Sequence, residues 1–81
     1  MPASKYAINR ALALEIKAAY VRKGMTAAQV AEKAGFSTGT MTRILAGEDM
    51  PVSRLYLIAD AIGVAAVDLV RAAVDNAVDD E

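Results

Sequence analysis

The sequence predicts an all-α protein, a compact bundle of five helices. Three observations carry this. Alanine is the commonest residue and aromatics make up only 5% of the chain, which suits helices because alanine is the best helix former. Apolar residues recur at three- and four-residue spacing, while strict alternation and hairpin dipeptides such as Asn-Gly are absent. The 5 glycines and 2 prolines are spaced singly as punctuation rather than clustered as linkers.

The first helix is expected from about Ser4 to Lys23, stopped by Gly24. Ile8, Leu12, Ile16 and Ala19 share one stripe, and Ala7, Ala11, Leu14, Ala18 and Val21 form a second beside it. Two apolar stripes exceed what a small surface helix needs. The second helix spans about 26–34. Thr26 is its N-cap, Gln29 completes a capping box, and Val30, Ala31 and Ala34 point inward. Gly35 allows a tight turn, and Phe36 anchors that turn in the core. The third helix spans about 37–46, with Ser37 as N-cap, Met41, Ile44 and Leu45 on its apolar side, and Gly47 as its stop. After the loop "EDMPV", Ser53 is expected to cap a fourth helix carrying Leu55, Ile58, Ala59 and Ile62, closed by Gly63. A fifth begins near Val64 or Ala65, and Val67, Leu69, Val70, Val74 and Val78 cover nearly half its circumference.

A chain of 81 residues fits one small domain, placed at 1–78 with an acidic tail at 79–81. The net charge of −1 is uneven: residues 1–71 carry +3 and residues 72–81 carry −4. There is no cysteine and no histidine, which removes disulfides, thiolate metal sites and most general-base schemes. The Met-Pro-Ala-Ser start lacks the pattern of a signal peptide, and no apolar run nears the ~20 residues of a membrane span. The expectation is a cytoplasmic protein with no cofactor, metal, small-molecule ligand or membrane partner.

One pattern argues for an enzyme. "GFSTG", Gly35 to Gly39, reads as G-x-S-x-G, the nucleophile elbow of serine hydrolases. The elbow needs a strand before it and a histidine beside it. Here a helix precedes it, the chain has no histidine, and Lys33, the one nearby substitute, has nothing to desolvate it. Ser37 is therefore read as a helix cap, and the protein as no enzyme.

A short helix, a glycine turn and a second short helix describe instead a helix-turn-helix, whose second helix enters the DNA major groove. From Gly24 to Leu69 the chain resembles the lambda-repressor-like (Cro/repressor) helix-turn-helix family. The resemblance rests on "GMT" (24–26), "VAEKAG" (30–35), Ser37, "MTRILAG" (41–47), Pro51, "LYLIADAIGV" (55–64) and "DL" (68–69). It implies a five-helix domain that binds double-stranded DNA as a homodimer at a two-fold related operator. It also implies a small repressor or Cro-like regulator of phage or bacterial type. The family's base-reading positions fall on Thr38, Gly39, Thr42 and Arg43. Arg43 is the strongest, because a bidentate arginine to guanine is the commonest specific contact. Thr38 and Thr42 can hydrogen-bond a base edge or press a methyl on thymine. Gly39 lets the backbone come close to DNA. Phosphate contacts fall on Thr26, Ser37, Thr40, Arg54 and Ala27, where relatives often carry glutamine. Where relatives pair an arginine on helix 1 with a glutamate near the end of helix 3, this chain has Tyr20 and Leu45. Glu48 and Asp49 put two acids in the loop before helix 4, where they would repel phosphates.

The surplus apolar surface has two readings: the two end helices pack on each other, or Val67, Val70, Val74 and Val78, with Leu14 and Val21, form a dimer interface. Alternatives to a regulator are an antitoxin and a protein-interaction module with weak or no DNA binding. The overall pI near 5.3, Gly39, Ala27 and the acidic loop favour the latter.

Overall fold

The computed structural model describes residues 4–77. Among them are five helices and no strand: α1 (Lys5–Arg22), α2 (Ala27–Ala34), α3 (Thr38–Leu45), α4 (Val52–Ile62) and α5 (Ala66–Asn76). Val78 and the acidic residues 79–81 lie outside the described residues.

Most helix starts follow the cap chemistry. Ser4 Oγ accepts from the Ala7 N–H at 3.1 Å and opens α1. Thr26 and Gln29 form the expected capping box on α2, and Ser37 caps α3. The fourth start differs from expectation. Pro51, not Ser53, is the N-cap of α4, and no side chain caps it. Proline's fixed φ, here −66°, presets the entry, and the Pro51 carbonyl takes the first helical bonds from Arg54 and Leu55. Ser53 therefore lies inside the first turn, exposed. The N-cap of α5 is Ala65.

The first four helices end alike. After each, a glycine and the residue beyond it donate back to carbonyls of the last turn. Gly35 makes the α2–α3 turn with φ +85°, a left-handed value that costs a residue with a Cβ about 1–2 kcal/mol.

One apolar core joins all five helices, with no buried polar side chain among the described residues. Ile16, Val30, Met41, Ile44 and Ile58 are its largest fully buried side chains, each contributing roughly 1.5–3 kcal/mol of burial. Leu55, Ala59 and Ile62 of α4 are buried as expected. Tyr20 is buried, and Leu45 packs against the same cluster. Phe36 is half-buried against this core.

The end helices pack more extensively on each other than any other pair. Asn76, at the end of α5, reaches Glu15 in mid-α1 at 3.4 Å. The packing is nevertheless incomplete. Ala7 and Ala11 are buried, but Leu14 and Val21 of the second α1 stripe are 64% and 59% exposed. The inward residues of α5 are Leu69 and Ala73, while Val67, Val70 and Val74 remain exposed. The reason is length and rotation. An 11-residue helix of about 16 Å cannot cover an 18-residue helix of about 27 Å, and it can turn only one face inward. No helix among the described residues is long and apolar enough to cross a membrane.

Candidate nucleic-acid interface

The site is built from α2, the Gly35 turn and α3. In α3 the apolar residues Met41 and Ile44 are buried and hold the helix against the core. At 100° per residue, Thr38, Gly39, Thr42 and Arg43 then fall on one continuous arc of about 140°. All four are exposed. The structure thus brings the four expected base-reading residues together on one face.

The start of α3 holds a chain of hydrogen bonds. Ser37 Oγ accepts from the Thr40 N–H at 3.1 Å and donates to Thr40 Oγ1 at 3.0 Å. Arg43 Nη2 donates to the same Thr40 oxygen at 3.3 Å. Thr40 Oγ1 accepts twice, which leaves its own proton for an outside acceptor. The Ser37 hydroxyl is engaged by Thr40, and Lys33 is exposed on α2.

Thr42 Oγ1 donates to the Thr38 carbonyl at 2.9 Å, so its hydroxyl proton is spent within the helix. Thr38 and Thr42 line a shallow groove of about 200 Å³ with Ala27, Ala28, Met41 and Leu45. Its walls are mostly carbon. Ala28 and Leu45 are residues that the sequence reading did not place at the site.

Gly39 is a glycine without an internal reason. Its φ is not positive, and a Cβ there would meet only Arg43 Nη1 and Ser37 Oγ, each at 3.9 Å, ordinary contact distances. Nothing in the fold requires its small size.

The expected phosphate residues divide. In the capping box, Thr26 Oγ1 accepts from the Gln29 N–H at 3.2 Å, and the Thr26 N–H donates to Gln29 Oε1 at 2.9 Å. The first-turn N–H groups left at this helix start are those of Ala27 and Ala28, beside the groove. Arg54 is half-buried, with its guanidinium 5.3 Å from the centroid of the Phe36 ring, a cation–π contact that fixes its stem.

The two loop acids are exposed, but each has a partner. Asp49 is drawn back to α1. Its Oδ2 lies 2.8 Å from Lys5 Nζ, and its Oδ1 accepts from Asn9 Nδ2. The bond from Lys5, then that from Asn9, holds the Asp49 carboxyl below its ordinary pKa, and Asp49 raises that of Lys5. Glu48 turns the other way and places Oε1 3.8 Å from Arg43 Nε. The end of α3 explains its direction. Gly47, at φ +94°, donates to the Ile44 carbonyl, and the Glu48 N–H donates to the Arg43 carbonyl at 3.2 Å, so Glu48 folds back over Arg43. The signal available in the sequence was the order "RILAGE", an arginine five residues before the residue that follows a stop glycine.

Comparison with known proteins agrees with the helix-turn-helix arrangement. A family model described as a helix-turn-helix domain matches residues 11–73. Among solved structures, the fold is similar to that of a hypothetical transcription factor, NHTF, from Neisseria. The TM-score is 0.74 at 21% identity, over 86% of this chain and 80% of that one. No curated protein matches the chain at a significant level.

Proposed function

The chain is a member of the helix-turn-helix domain family, and from that premise we propose that it is a sequence-specific DNA-binding transcription regulator. It is a small Cro-like or repressor protein of phage or bacterial type, cytoplasmic, binding a two-fold related operator as a homodimer. The observation that carries this reading is the exposed face of α3, with Thr38, Gly39, Thr42 and Arg43 side by side and α2 opening next to it. Arg43 reads guanine. Thr38 and Thr42, with the carbon-lined groove between α2 and α3, take a thymine methyl. Gly39 admits close approach of the helix to the DNA, the external reason for a residue that the fold does not require. Thr40, Arg54 and the N–H groups of Ala27 and Ala28 hold phosphates, while Ser37 and Thr26 act mainly by holding the helix starts. Val67, Val70 and Val74, exposed on α5, with Val78 beyond the described residues, form the dimer face.

Selection of bound sites from random DNA tests this reading. The expected product is a palindromic site with half-site centres about one helical turn, roughly 34 Å, apart. Failure of any sequence to outcompete random DNA at moderate salt defeats the regulator reading. A second reading, an antitoxin or an interaction module, is favoured by Leu14, Val21 and the exposed valines of α5. It predicts a protein partner on that face and weak DNA binding.

A further inference from the structure

The guanidinium of Arg43 is held along one edge and open along another. A guanidinium offers two flat donor edges: a side edge of Nε–H with one Nη2–H, and an end edge of Nη1–H with the remaining Nη2–H. Thr40 Oγ1 accepts from Nη2 at 3.3 Å, and the Glu48 carboxylate lies 3.8 Å from Nε, within ion-pair range. Nε and Nη2, the two nitrogens of the side edge, thus each have a neighbour that holds them. Nη1, the outer nitrogen of the end edge, has no partner among the described residues, and it lies on the side of Gly39, where no Cβ stands in the way. A guanine presents O6 and N7 as two acceptors side by side, which the end edge of an arginine matches.

We propose that Glu48 is a positioning residue for base recognition: it holds the side edge of Arg43 so that the end edge is presented to guanine. This rests on the reading of α3 as the DNA-facing helix. The carboxylate acts in two ways. Arginine loses the freedom of a long, flexible side chain when it binds, and holding the guanidinium before DNA arrives removes part of that cost on the operator. On random DNA the same negative charge opposes phosphates and gives nothing back. Glu48 therefore raises the preference for the operator over random DNA, although it weakens attraction to DNA in general. The neighbouring acid has no such role, because Lys5 and Asn9 hold Asp49 on α1.

The test measures operator and random-DNA affinities of the full chain for the parent, Glu48→Ala, Glu48→Gln, Arg43→Ala and the double variant Arg43→Ala with Glu48→Ala. Glu48 is exposed, and thermal melting checks that each variant is folded. Glu48→Ala is expected to tighten random-DNA binding and to lower the operator-over-random ratio by about threefold to tenfold per half-site, the scale of ordering one long side chain. Glu48→Gln removes the charge but keeps an acceptor for Nε, so it retains part of the ratio. In the Arg43→Ala background, Glu48→Ala leaves the ratio unchanged. If Glu48→Ala tightens operator and random DNA by the same factor, Glu48 is only a repelling charge and the proposal is overturned. It is overturned too if the ratio falls equally in the Arg43→Ala background. If Arg43→Ala itself leaves the ratio at its parent value, the reading of α3 fails, and the proposal falls with it.

Discussion

Gly39 shows most clearly how one residue can separate stability from function. It sits in the first turn of α3, with ordinary helical backbone and space for a methyl group. A glycine inside a helix costs about 0.5–1 kcal/mol relative to alanine. Gly39→Ala is therefore expected to stabilise the fold by up to about 1 kcal/mol in denaturant melts. It is also expected to weaken operator binding, since the new methyl stands between α3 and the DNA. A variant that is more stable and binds equally well would show that close approach is not what Gly39 provides. The contrast with Arg43 is chemical. On the proposed reading the arginine supplies donors and needs neighbours to aim them, and Thr40 and Glu48 are the side chains it touches. The sequence shows the arginine plainly but not its aim, because the aim depends on a backbone reversal at Gly47 and on side-chain geometry across five residues.

At the level of the helices, caps and stops carry the architecture. Gly47 is the informative stop, since its left-handed backbone ends α3 and turns Glu48 back. Gly47→Ala forces a Cβ into φ +94°, with the Arg10 backbone 3.8 Å away. A loss of about 1–2 kcal/mol in stability is expected from the strain alone, together with a lower operator-over-random ratio as Glu48 is displaced. The α3–α4 loop is tied to α1 by Lys5, Asn9 and Asp49, and this tie has a pH signature. The folded pKa of Asp49 is lowered, so its contribution is present above the ordinary carboxylate value and is lost as pH falls through the lowered one. That of Lys5 is raised, so its contribution is present below the ordinary lysine value and is lost as pH rises through the raised one. A carboxyl titration of Asp49 by NMR should give a midpoint below that of a free aspartate, and Lys5→Ala should return it toward the ordinary value. An unchanged midpoint in Lys5→Ala would contradict the tie. Thr26, Gln29 and Ser37 were legible as caps because their bonds are local, spanning three residues. Ser53 misled because a proline two residues earlier already sets the entry to α4.

For the whole molecule, the core was legible wherever helical spacing decides burial, as in α4, where all four expected residues are inside. It was less legible where partner geometry decides. The sequence shows two apolar stripes on α1 and a broad one on α5, but not that an 11-residue α5 leaves Leu14, Val21, Val67, Val70 and Val74 exposed. That uncovered surface is the reason to expect a partner copy. Sedimentation of the DNA complex should give two protomers per operator at saturation. Val70→Asp combined with Val74→Asp should abolish the second protomer's cooperative binding with little change in melting temperature, because both positions are exposed. One protomer per operator would contradict the dimer.

On the proposed function, the exposed face of α3 reads bases through Arg43. Its most direct test is a paired titration of the parent and Arg43→Ala against the selected operator and against random DNA, at several salt concentrations. The expected result is a loss of about 1–3 kcal/mol per half-site on the operator, a much smaller loss on random DNA, and relaxed preference at the guanine position. An equal loss on both DNAs, with the preferred sequence unchanged, would mean that Arg43 only neutralises phosphate and that the base-reading face lies elsewhere.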